Sequence, residues 1–219
     1  MIEFTELLAL WNAQEKTLGP PPEPIQLWSA GGCGIWLAET LGPAVPYPPV
    51  DRRDGTLNHG YVRLKGRPGA AARVPEAQDW PELQGFLEIV NAEQSPIESV
   101  GCEKAYSAVG VEGAPPLRLG SYIDVIFTEA RLNDRPENLL LLASRLAQGV
   151  EGCEKWWGDD SFVLQRLKVL AGAREPWGLM LQIKNLGRSE DEARKFWGES
   201  ITRLGKVAAS LPREFRYDG

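Results

Sequence analysis

The chain has 219 residues, 43% of them apolar and 25% charged, with a net charge of −6. That length closes a core without disulfides or metals, so a single domain over residues 1–219 is expected. An acidic surface disfavours nucleic acid and anionic membrane, which call for basic patches, and it favours a basic protein partner.

The opening residues, Met1-Ile2-Glu3-Phe4-Thr5-Glu6, lack the basic start of a signal peptide, and no run approaches the roughly 20 apolar residues of a membrane span. A cytoplasmic location is expected. Phe4, Leu7, Leu8 and Trp11 recur at helical spacing, which predicts an amphipathic helix over residues 3–16, stopped by Gly19-Pro20-Pro21-Pro22. Ile25-Gln26-Leu27-Trp28 and Ile35-Trp36-Leu37 flank Gly31-Gly32-Cys33-Gly34, a pattern for a hairpin or tight connection. A long loop is expected from Leu41 to Gly60, rich in proline, and another from Gly66 to Gln78. Between them Tyr61-Val62-Arg63-Leu64-Lys65 alternates like a strand.

Asp79, Pro81 and Glu82 read as a capping box that opens a second helix with Leu83, Phe86, Leu87 and Val90 inward. Residues 98–109 and Tyr122 to Phe127 read as strands. Asp134, Pro136 and Glu137 repeat the capping device, with Leu139, Leu142, Ala143 and Leu146 inward and Gly149 as the helix end. Residues 161–170 fit neither period and are left open between helix and strand. Leu179 to Ile183 reads as a strand. Ser189 and Glu192 open a last helix, with Ala193, Phe196, Trp197, Ile201, Leu204 and Ala208 on its stripe. Strands in adjacent runs, without strict strand–helix alternation, predict an α+β fold: a largely antiparallel sheet packed by about four amphipathic helices.

Chemistry is sparse. His59 is the single histidine, and Cys33, Cys102 and Cys153 are scattered, so no metal site, cofactor or disulfide framework is legible. Cys33 in its glycine-rich turn, with His59 as base and Asp51 or Asp54 as orienter, is the one candidate set for a small cytoplasmic hydrolase. Neither a Walker nor a dinucleotide glycine pattern occurs. No catalytic residue is assigned, and the chain is expected not to be an enzyme. Eight tryptophans are expected to anchor the core or an interface. Trp156-Trp157-Gly158-Asp159-Asp160 unites two indoles with two carboxylates. Trp156, Trp157, Asp159 and Asp160 are therefore the candidate partner-binding residues, against a local alternative in which Asp160 caps a following helix.

Glu154-Lys155-Trp156-Trp157-Gly158-Asp159, Glu175-Pro176-Trp177-Gly178 leading into a strand, and Phe196-Trp197-Gly198 in the last helix carry a resemblance. Through them the chain resembles the immunity proteins of bacterial polymorphic-toxin and type VI secretion systems, nearest to the TsiT-like group. The resemblance implies a cognate toxin as partner, a nuclease effector, with no enzymatic activity, and it allows a homodimer. Beside this stand the hydrolase reading and that of a non-enzymatic structural or adaptor protein.

Overall fold

The computed structural model of the chain describes residues 3–14, 21–51, 57–150, 158–169 and 175–218. Trp156, Trp157 and Cys153 lie outside them. Helix α1, Phe4–Ala13, is shorter than its sequence pattern and buries Leu7 and Trp11, whose indole meets Trp177 edge-on at 5.6 Å. Strands β1, Ile25–Ala30, and β2, Cys33–Leu37, form the expected hairpin. Its turn sets Gly31 at φ +57° and Gly32 at φ +75°, a backbone twist that only glycine adopts cheaply.

The chain then crosses the sheet as a strap. Gly42 N–H donates to the Arg166 carbonyl at 2.7 Å, and β3, Ala44–Val45, pairs in parallel with β9, Lys168–Val169. Two short strands follow, β4, Val50–Asp51, and β5, Leu57–Asn58, paired antiparallel. The expected strand at Tyr61–Lys65 does not form. Only Leu64 of that run is buried, and the Lys65 ammonium donates to the Ser95 and Ile97 carbonyls at 2.6 and 2.9 Å. Nor is Gly66 to Gln78 a bare loop: 3-10 turns at Ala70–Arg73 and Pro75–Ala77 sink Ala70, Ala71 and Ala77 into the core.

Helix α2, Pro81–Val90, buries the predicted stripe, but Asp79 does not cap it. Asp79 sits at φ +62°, its carbonyl accepting from Arg194 Nη2 at 2.6 Å, and Trp80 holds the cap position. Strands β6, Ile97–Ala108, and β7, Leu117–Phe127, form a long antiparallel hairpin. Helix α3, Pro136–Val150, ends one residue past the expected Gly149, where a Cβ would collide with Val207, so this glycine also lets two helices approach. The ambiguous stretch is a strand, β8, Gly158–Arg166, so Asp160 caps no helix. Strand β10, Trp177–Gly187, precedes α4, Glu190–Ser210. There the N-cap is real: Ser189 Oγ accepts from Glu192 N–H at 3.2 Å, and the Glu192 carboxylate reaches one residue past the cap to accept from Arg188 N–H at 2.6 Å.

The sheet order is β1-β2-β8-β10-β7-β6, antiparallel throughout except for the parallel pair β2 and β8. The fold is thus α+β, a mostly antiparallel sheet with four helices. Helices α2, α3 and α4 share one face of the sheet, over Phe162, Leu164, Ile123, Val125, Leu181 and Ile183, each fully buried. Trp197 is 0% exposed, and its indole N–H donates to Ser121 Oγ at 2.8 Å, which satisfies the one polar atom its burial would strand.

Candidate functional site

Period-two alternation sends the other residues of these strands to the opposite face. The registers give its rows directly. One row runs Gly101, Asp124, Met180, Val163, Trp36 from β6 to β2. The next runs Glu103, Tyr122, Gln182, Ser161, Gly34, and the one beyond it Ala105, Gly120, Lys184, Asp159.

The strap divides this face in two. On the covered side Gln165 Nε2 donates to Asp124 Oδ1 at 2.7 Å, and both side chains are buried. Tyr47, carried by the strap, closes the place: a Cβ at Gly101 would lie 3.2 Å from Asp124 Oδ2 and 3.3 Å from Tyr47 Oη. Burial pushes the Asp124 carboxyl up to about 7, against the pull of the Gln165 hydrogen bond. Burial likewise raises Tyr47 and Cys102 to about 12, with Asp124 and Glu76 among the charges that add to it. Among the described residues the carboxyl meets Gln165 and Tyr47, and the small cavity beside Tyr47 and Gly101 holds about 30 Å³.

The other side, which no described helix or strap segment covers, is different. Glu103, Tyr122, Gln182, Lys184 and Arg118 line an open hollow of about 410 Å³. Tyr122 Oη donates to Glu103 Oε2 at 3.3 Å, and Arg118 Nε donates to Ser107 Oγ at 3.0 Å. Glycine at 34 lets the Trp36 indole lie along the sheet, since a Cβ there would stand 2.6 Å from Trp36 Nε1. The result is a broad, polar, aromatic-edged surface mounted on hydrogen-bonded strands.

The sequence-predicted site residues separate. Asp159 is exposed on this outer face, register partner of Lys184. Asp160 is 0% exposed and faces the helices, opposite Ile183, so its carboxylate is not part of the surface. The strand alternation that brings Asp159 out puts Asp160 in. Trp156 and Trp157 fall outside the described residues. The candidate pair Cys33 and His59 is not brought together. Cys33 is buried on the helix side of β2, whereas His59 is exposed beside the strap, next to Gly60, which abuts Pro49. Asp51 is exposed on β4, and Asp54 is outside the described residues. Among the described residues no group of three His, Cys, Asp or Glu side chains could hold a metal, and no helix is long and apolar enough to cross a membrane.

Sequence reasoning missed Glu103, Tyr122, Gln182, Lys184 and Arg118. Their signal was the polar half of the alternation in β7 and β10, as in Tyr122-Ile123-Asp124 and Gln182-Ile183-Lys184. No protein-family model matches the chain, and no curated protein or solved structure matches it significantly.

Proposed function

We propose that this chain is a bacterial immunity protein that binds and neutralises a cognate secreted toxin, a nuclease effector, by direct protein–protein contact. The contact surface is the half of the outer sheet face around Gln182 and Lys184, beyond the strap. One observation carries this reading: Glu103, Tyr122, Gln182 and Lys184 stand half-buried on three neighbouring strands around an open hollow of about 410 Å³. Side chains held this way lose little further freedom on binding, which favours a tight inhibitor over an adaptable hub. The hollow is too open to enclose a small molecule, and a protein surface fills it better. Exposed Asp159 and the net charge of −6 steer a basic partner. The reading requires a reducing cytoplasm, where Cys33 and Cys102 stay reduced.

The test is protection in cells. The product of the adjacent open reading frame is expressed with the wild-type chain or with the double variant Gln182→Arg/Lys184→Glu. The expected result is growth with the wild type and arrest with the variant, at equal amounts of folded protein. Protection undiminished by the variant would remove this face from the function, and a harmless neighbouring product would remove the toxin.

A further inference from the structure

Strand β6 is a sheet edge of 12 residues, and its two halves are treated differently. The first half is guarded in the ways edges usually are. A bulge interrupts the register between Ser99 and Gly101, and Asn91 Oδ1 accepts from Ser99 N–H at 3.1 Å. Lys65 reaches across to the Ser95 and Ile97 carbonyls, and Tyr61, Val62, Pro75 and Glu76 help wall a small cavity beside Ser99 and Gly101. From Lys104 on, the described residues show none of this. From Gly101 to Ala108 the pairing with β7 is unbroken and contains no proline, and among the described residues Lys104 to Ala108 have no backbone partner other than β7. Lys104, the residue type that most often blocks an edge, is folded back, its ammonium 4.4 Å from the Trp80 ring centroid.

Basic groups flank this edge on both sides, with the acids Glu190 and Asp191 near Tyr106. On the helix side Lys104 and Arg194 lie against Trp80, with Arg194 Cζ 4.3 Å from the ring centroid. On the outer side exposed Arg118 is drawn over Ser107 by its 3.0 Å hydrogen bond. Among the described residues neither Lys104 nor Arg118 has a carboxylate within 4.0 Å, although Glu76 and Asp79 lie near Lys104. Ala105 and Gly120, adjacent in one row, leave the outer face flat between them.

We propose that the Lys104–Ala108 edge of β6 takes up an extended segment of the partner as a seventh strand, and that this segment carries carboxylates at positions i and i+3. The spacing follows from the register. Lys104 and Ser107 are three residues apart and point to opposite faces, so a strand pairing with both presents its acids alternately, one to Lys104 and one to Arg118. Backbone hydrogen bonds supply sequence-independent affinity and the two ion pairs fix register. The inference rests on the proposed function and names how the partner attaches; the acidic pair belongs to the inserted segment alone, within a partner that is basic overall.

Synthetic extended peptides of roughly eight residues test it. One carries Glu-x-x-Glu in a threonine and valine background, and three controls carry Gln-x-x-Gln, Glu-x-Glu, or the first pattern with a central proline. Binding is followed by amide shifts of the intact protein. The expected result is perturbation concentrated at residues 104–108 and binding about tenfold tighter for Glu-x-x-Glu than for Gln-x-x-Gln. That margin should vanish in the folded double variant Lys104→Gln/Arg118→Gln. Equal binding of the proline peptide, unmoved amides at 104–108, or a margin that survives the double variant would each overturn the proposal. So would protection of these amides from exchange that grows with protein concentration, since a second copy would then occupy the edge. The cellular test leaves Lys104 and Arg118 intact. Lost peptide binding with retained dependence on Gln182 and Lys184 therefore refutes this inference alone, and the converse refutes the toxin reading alone.

Discussion

The two faces of the sheet use the same strands, alternating residue by residue, and obey different rules. On the helix side Ile123, Val125, Leu181 and Ile183 are all fully buried, and the polar Ser121 is there because Trp197 needs an acceptor. On the outer side their immediate neighbours Tyr122, Gln182 and Lys184 are half-buried, and among the described residues it is the strap that covers Asp124. Buried and exposed residues thus occupy alternate positions of one strand, so a shift of register by one residue would exchange them and dismantle the proposed contact surface. Substitutions can therefore be chosen to affect the core or the surface and leave the other.

The largest effect belongs to the helix side. Trp197→Ala should cost about 3–5 kcal/mol in urea unfolding, because it opens a cavity in a close-packed layer. A cost no larger than that of a surface change would break the comparison. Next comes the covered acid. The Asp124 carboxyl rises from 3.8 to about 7 on folding, so between those values the native state holds a proton that the unfolded chain has released. Stability contributed at this site is therefore full below the unfolded value and lost as pH rises through about 7. Asp124→Asn, which can still accept from Gln165, should flatten that slope and stabilise the chain at pH above 8 by on the order of 3 kcal/mol. Unfolding curves at acidic and alkaline pH check both the sign and the window.

Smaller still, Gly101→Ala must push Tyr47 or Asp124 by a few tenths of an ångström, and about 1–2 kcal/mol of destabilisation is expected in thermal melts. Smallest of all, Gln182→Ala and Lys184→Ala should change stability by no more than about 0.5 kcal/mol each. Those two substitutions sharpen the contrast with Ile183, which lies between them in sequence and on the other face.

Much of the helix side was legible in the sequence, because apolar periodicity records burial. The stripes of α2 and α4, the box at Ser189 and Glu192, and the paired glycines of the first hairpin all say locally what the fold does globally. The failures have physical causes. Strand β8 was unreadable because it is central: Ser161 and Gln165 are polar and yet buried on the outer face, so the alternation is masked. Tyr61–Lys65 alternates without a neighbouring strand to pair with, and its lysine makes the long-range bonds. Asp79 has the residue type of a cap but the wrong backbone, at φ +62°. The candidate site was partly visible, in Asp159. Its companion Asp160 turns inward, and the polar rows of β7 and β10 carry meaning only once the registers of three strands are known.

The account depends most on the outer face being the place where the partner binds. The direct measurement is the affinity of the purified chain for the product of the adjacent open reading frame, by calorimetry, for wild type and for Gln182→Ala/Lys184→Glu. The account predicts binding at least about tenfold weaker in the variant, with its unfolding midpoint unchanged. Equal affinity in the two proteins would contradict it.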